Sequence, residues 1–133
     1  MHCTKNAEAY GLCAAYVKGK AMEMPFEDES FDHVVSNGSL HEWKGPIVVF
    51  NELFRVLRKG GRYNISDLKR DVGFLKRMLV LGSTKPKGMR PGLISSLNAA
   101  YTVSEITELL RNSKLHGASG KDDYFGLCIS GKK

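Results

Sequence analysis

The 133-residue sequence predicts an α/β fold, and three observations carry that expectation. A strongly striped helix over Pro46–Arg58 is followed within three residues by a strand over Arg62–Ser66. A second striped helix begins at Thr102, and the chain closes on two short apolar strands joined by a turn-rich linker. With 42% apolar residues, a chain of this length builds one core, so a single domain over 1–133 is expected.

In chain order, Cys3–Tyr10 is compatible with a helix that stops at Gly11, before a short strand near Ala14–Lys18. Pro25 and the acids Glu27, Asp28 and Glu29 read as a solvated turn. Phe31, Val34 and Val35 then form a buried strand ending at Ser36. In the helix from Pro46, one stripe carries Val49, Phe50, Leu53, Val56 and Leu57, and the opposite face carries Asn51, Glu52, Arg55 and Arg58. Lys59, Gly60 and Gly61 end it, glycine permitting the left-handed backbone of a helix stop. The glycine pair is not a phosphate cradle, because a cradle follows a strand and precedes a helix, the reverse of the order here.

Beyond Asp71 a helix is expected with Val72, Leu75, Met78 and Leu79 inward. A Gly- and Pro-rich loop through Lys85, Pro86, Gly88, Pro91 and Gly92 follows, and could serve as a lid. Residues at about 71–101 thus read as a helical and loop insertion. Thr102 and Glu105 have capping-box spacing, and Val103, Ile106, Leu109 and Leu110 share a face. Lys114–Ser119 and Tyr124–Ser130 are expected as an antiparallel hairpin linked by Gly120, Lys121, Asp122 and Asp123.

Composition excludes several classes. The longest apolar run, Met78–Leu81, is stopped by Gly82 and Ser83, far short of the roughly 20 residues that cross a bilayer. Met1–Tyr10 has no apolar h-region, so a cytoplasmic protein with no membrane partner is expected. Cys3, Cys13 and Cys128 form no C-x-x-C pair and read as reduced, mostly buried thiols. Neither they nor His2, His33, His41 and His116 have metal-ligand spacing, so no metal site is expected. From Lys69 to Arg90 seven basic residues stand against one acid, Asp71, a local excess equal to the whole net charge of +6. That window is either a solvated helix face with a Lys-rich loop or a patch for an anionic partner such as nucleic acid. Its scarcity of aromatic residues for base stacking favours the first.

Four runs, taken in order, resemble one family. Gly19-Lys-Ala-Met-Glu-Met-Pro-Phe26, Glu29-Ser-Phe-Asp-His-Val-Val-Ser36, Leu40-His-Glu-Trp43 and Glu52-Leu-Phe-Arg-Val-Leu-Arg-Lys-Gly-Gly-Arg62 are similar to class I S-adenosylmethionine-dependent methyltransferases of the type 11 kind. Lys59 stands where proline is commoner in that family. The capped helix after Ala99-Ala-Tyr-Thr102 resembles the family's last helix before its terminal hairpin. The resemblance implies a partial Rossmann-like sheet holding strands equivalent to 3, 4, 5, 6 and 7 of the family's 3-2-1-4-5-7-6 order, with helices at its flanks. It also implies that strand 1, its glycine-rich loop and strand 2 belong before Cys3, because no G-x-G-x-x-G string occurs in the chain.

The resemblance implies a methyl transfer from S-adenosylmethionine to an unknown acceptor, or a methyltransferase-like interaction module without catalysis. Lys20, Ala21 and Met22 match cofactor positions beside adenine, and Ser36, Asn37 and Gly38 match positions at its methionine end. Lys20 stands where many members have Asp. A lysine has only donors to offer the adenine amino group, so Lys20 either weakens that contact or turns to solvent. Met22 and Met24 either pack on the adenine or belong to the core. His41 and Trp43 match the mouth of the substrate pocket. His41 is the candidate general base, its alternative being to cap or pack beside the following helix. Without strands 1 and 2 the edge of Phe31–Ser36 is bare. The Ala14–Lys18 strand is then expected to close onto it, or two chains or a partner to supply the missing strands.

Overall fold

The computed structural model describes residues 9–124 and 126–133. Except for its last two residues, the helix expected over Cys3–Tyr10 lies outside them. Eight elements follow: β1 (Phe31–Asn37), α1 (Pro46–Val56), β2 (Leu57–Leu68), α2 (Phe74–Ser83), α3 (Arg90–Ala99), α4 (Val103–Arg111), β3 (Gly120–Asp122) and β4 (Gly126–Lys132). The four strands form one sheet of order β1-β2-β4-β3. β1 runs parallel to β2, and β4 is antiparallel to both β2 and β3.

The core lies on one side of this sheet. Along β2 burial alternates, with Tyr63, Ile65 and Asp67 buried and the residues between them more exposed, as the two-residue period of a strand requires. Leu127 and Ile129 of β4 extend the buried layer, and Val49, Phe50 and Leu53 of α1 with Ile106 and Leu110 of α4 cover it. α4 starts as its sequence dictates. Glu105 N donates to Thr102 Oγ1 at 3.2 Å and Thr102 N to Glu105 Oε2 at 2.8 Å, which satisfies two amides that helix geometry leaves free.

Several expectations need correction. Residues 14–18 form no strand. Among the described residues β1 pairs with β2 alone, so the expected closure of Ala14–Lys18 onto Phe31–Ser36 does not occur. A single extended segment without a ladder partner does not satisfy its own backbone. α1 ends at Val56, and β2 begins at once and is longer than expected. Gly60 does adopt a left-handed φ of +79°, but inside a bulge of β2 opposite β1, where Phe31 pairs with Leu57 and His33 with Arg62. A Cβ on Gly61 would lie 2.9 Å from Arg58 O and 3.1 Å from Asp32 O, so both glycines serve the bulge.

The hairpin is also displaced. Residues 114–117 form a turn under the buried Leu115, with Ala118 N on Leu115 O at 2.8 Å, and the expected linker Gly120–Asp122 is itself β3. The Gly- and Pro-rich loop is largely helix, since Pro91 sits in the first turn of α3, where its missing N–H costs nothing. Leu75, Met78 and Leu79 of α2 face out, not in. Cys13 is exposed, and Cys128 is half-buried with its thiol on Asn64 Oδ1.

Candidate functional site

Because β1 and β2 are parallel, their carboxyl ends meet, Asn37 opposite Ser66. Gly38 then turns with a φ of +65°, its N–H donating to Ser66 O at 2.8 Å. The fully buried Leu40 anchors a single 3-10 turn over Leu40–Glu42, and this turn carries His41 across to the end of β2. There His41 N donates to Asp67 Oδ2 at 2.7 Å, and His41 Nδ1 lies 2.9 Å and 3.0 Å from the two carboxylate oxygens. Leu68 N also donates to Asp67 Oδ1, at 2.7 Å. The Asp67 side chain is 1% exposed and that of His41 9%.

A buried carboxylate is tolerated when its oxygens are filled with donors, and here two backbone amides and the His41 ring fill them. Against a carboxylate, Nδ1 is the donor, so the neutral ring carries its lone pair on Nε2. Beside this pair, Asn37, Gly38, Ser66, Asp67, Gly126 and Leu127 line a cleft of about 270 Å³. Ser66 Oγ donates to Asn37 Oδ1 at 2.9 Å on its rim.

Sequence reasoning missed Asp67, although a signal existed. Tyr63 and Ile65 define the buried face of the strand, and the two-residue period puts Asp67 on it. Its placement depends on Gly126, because a Cβ there would come 2.2 Å from Asp67 O. Gly126→Ala is therefore expected to force β4 away from β2, costing about 1–3 kcal/mol as overpacking does, and to loosen the His41 contact. Urea unfolding measures the first effect and the 15N shifts of the His41 ring the second. Unchanged values for both would refute this role for Gly126.

Lys20, Ala21 and Met22 sit in a separate hairpin-like turn, with Glu23 N donating to Lys20 O at 3.0 Å. Lys20 and Ala21 line a second cleft of about 170 Å³ with Gly19, Pro25 and Phe26, while Met22 is exposed and Met24 packs against the core. α1 fixes this loop through two side chains. Glu52 accepts from Met24 N at 2.9 Å and, through both oxygens, from Arg55. Arg55 donates in addition to Met24 O, Phe26 O and Asp28.

The bidentate Arg55 guanidinium, aided by Met24 N, holds the Glu52 carboxyl down at about 2 against partial desolvation, and Glu52 in turn raises Arg55. The folded value lies below the ordinary 4.5, so this stabilisation is complete above pH 4.5 and is lost as pH falls toward 2. Glu52→Gln should therefore be less stable than the native chain at pH 6 and converge with it near pH 2. Denaturant titrations across that range check this, and a gap independent of pH would contradict it.

Trp43 stacks edge-on against Phe50, ring centroids 5.8 Å apart. Two of the seven basic residues between 69 and 90 are neutralised within the fold, Lys69 by Asp122 and Arg70 by Glu105. Arg70 N and Nη1 also bond Tyr101 O and Ala100 O, and Lys69 bridges to Tyr101, so both ends of the 71–100 segment are stitched together. α3 packs against the turn that carries His41.

Comparison with known proteins agrees with this fold. A family model described as a methyltransferase domain matches residues 1–65. The chain is 36% identical over 105 residues to the protein MJ1123 of Methanocaldococcus jannaschii, covering 79% of this chain and 49% of that protein. It is 37% identical over 57 residues to the ubiquinone/menaquinone biosynthesis C-methyltransferase UbiE of a Ruegeria species, covering 43% of this chain and 23% of that enzyme. A methyltransferase of Aquifex aeolicus, described as S-adenosylmethionine-dependent, superposes with a TM-score of 0.67 at 15% identity, over 98% of this chain and 61% of that one. The chain spans about half or less of the length of the curated relatives it matches. The methyltransferase-domain match over residues 1–65, and a sheet with parallel β1 and β2 beside an antiparallel β4, make this chain similar in sequence and fold to S-adenosylmethionine-dependent methyltransferases.

Proposed function

We propose that residues 1–133 supply the acceptor side of a methyl-transfer site, with His41 as general base. The observation that carries this reading is the buried Asp67 carboxylate on His41 Nδ1, at the joined carboxyl ends of two parallel strands. That end of a parallel sheet is where Rossmann-like folds bind ligands. Ser36, Asn37 and Gly38 would hold the methionine end of S-adenosylmethionine, and Lys20, Ala21 and Met22 would flank its adenine. The fit is favourable at the first set. Gly38 has open space where a Cβ would stand, and the adjacent carboxylate complements a sulfonium cation. When bound, the cofactor supplies an electrophilic methyl group. His41 Nε2 accepts the proton that a hydroxyl or amine acceptor loses, Asp67 stabilises the imidazolium formed, and Trp43 borders the acceptor.

The open edge of β1 is the place for further strands, supplied with a glycine-rich loop by a second copy or by a segment outside these residues. Residues 71–101 form an insertion beside His41, and the cytoplasm is the expected compartment. Calorimetric titration of S-adenosylhomocysteine into the chain, with and without a segment carrying the loop, tests the proposal. Binding that requires the segment supports it, and absence of binding in both conditions overturns it. Light scattering that shows a monomer at micromolar concentration excludes self-pairing.

A further inference from the structure

The segment between β2 and α4 has a composition unlike the rest of the chain. From Val72 to Ser104 there is no Asp or Glu, while Lys76, Arg77, Lys85, Lys87 and Arg90 all carry positive charge. Among the described residues none of these five makes an ion pair. Lys76 donates to Tyr124 O, Arg77 to Asn98 and Arg90 to Gly82 O. No carboxylate among the described residues neutralises them, unlike Lys69 and Arg70, although Lys76 Nζ also lies 4.2 Å over the Tyr124 ring.

The same segment presents apolar side chains to solvent. On α2, Phe74 is 76% exposed, Leu75 82% and Leu79 64%, with Met78 beside them. At 100° per residue these four positions form one continuous stripe, and Lys76 and Arg77 fall on its two shoulders. The bonds of Lys76 and Arg77 to the body of the protein fix the helix with this stripe outward. Met89 and Ile94 are exposed as well, and Lys85 and Lys87 stand on the link between α2 and α3. No helix among the described residues is long and apolar enough to cross a membrane.

We propose that α2 and the following link are a peripheral membrane contact that docks on an anionic phospholipid surface. Charge complementarity selects this occupant. The acid-free run of five cations is attracted to a negatively charged leaflet, while Phe74, Leu75, Met78 and Leu79 enter the headgroup boundary. Lys85 and Lys87, exposed on the link beside the stripe, keep their charges among headgroups as the stripe sinks. Aromatic residues for base stacking are missing from the stripe apart from Phe74, which disfavours a nucleic-acid partner. The sequence expectation of no membrane partner rested on the lack of a bilayer-long apolar run and of an apolar h-region, neither of which bears on a peripheral contact, whereas the outward Leu75, Met78 and Leu79 do. This contact is independent of the methyl-transfer reading.

Co-sedimentation of the full chain with vesicles tests it. Binding is expected to vesicles of phosphatidylcholine with phosphatidylglycerol, to weaken with salt, and to be marginal on phosphatidylcholine alone. Lys85→Gln with Lys87→Gln, which leaves the anchors of α2 intact, should reduce partitioning about tenfold or more, at roughly 1 kcal/mol for each basic residue near the surface. Leu75→Ser with Leu79→Ser should abolish it, whereas Val35→Ser, at an exposed site on β1, should leave it unchanged, all variants being confirmed folded by circular dichroism. Phe74→Trp in a Trp43→Phe background should show blue-shifted emission when anionic vesicles are added. The proposal is overturned by absence of vesicle binding, by equal binding to neutral vesicles, or by Leu75→Ser with Leu79→Ser dissociating a dimer while vesicle binding persists. Salt-sensitive duplex DNA binding without vesicle binding would also overturn it.

Discussion

Asp67→Asn is expected to lower methyl transfer by the assembled enzyme on the order of 10²–10⁴-fold, while the chain stays folded. The native carboxylate accepts from three N–H groups, His41 N, His41 Nδ1 and Leu68 N. An asparagine keeps one acceptor oxygen and turns an NH2 toward the others, setting donor against donor. The cheapest relief is for His41 to move its proton to Nε2, and a base whose lone pair is turned inward takes no proton from an acceptor. Leaving one buried N–H unsatisfied also costs about 1–3 kcal/mol, so some loss of stability accompanies the change.

Rate and stability separate this positioning role from a purely structural one. Imidazole 15N shifts should report an Nδ1–H tautomer in the native chain and an Nε2–H tautomer in Asp67→Asn. If the two residues act as a unit, His41→Gln and Asp67→Asn should together cost little more than either alone, since removing one member already disables the pair. Native turnover with an unchanged tautomer in Asp67→Asn would remove both residues from the mechanism.

Much of the fold is legible in the sequence, and what was not is legible only through partners. α1 and α4 announce themselves, because Val49, Phe50 and Leu53, and then Ile106 and Leu110, recur at helical spacing and end up buried together. The capping box at Thr102 is local chemistry, so three residues suffice to predict it. α2 carries an equally clear stripe, yet periodicity says only that Phe74, Leu75, Met78 and Leu79 share a face, not that the face meets the core. Val34 and Val35 declare a strand, but whether Ala14–Lys18 joins it depends on strands that would lie between. At the site, His41 is visible through the motif Leu40-His-Glu-Trp43, while the period of β2 puts Asp67, 26 residues away, on the buried face, and only β2 laid beside β1 shows the two as partners.

Phe50→Ala is expected to be the most destabilising single truncation in the core, costing about 3–5 kcal/mol, a large share of the 5–15 kcal/mol that holds a typical domain together. Phe50 is fully buried among Leu40, Leu53 and Ile65, and its ring also supports Trp43 edge-on at 5.8 Å. Truncation therefore opens a cavity beneath the helix that carries Glu52 and Arg55 and frees the indole beside the His41 turn. Trp43 is the sole tryptophan, so its emission isolates this effect. The variant should unfold at much lower urea and, under conditions where it is still folded, show Trp43 emission shifted to the red. Phe50→Leu, which refills most of the volume, should recover most of the stability but not the ring contact, leaving part of the red shift. If Phe50→Ala lost less than about 1 kcal/mol, the cavity cost expected of a well-packed site would be absent, and the core could not be centred on α1.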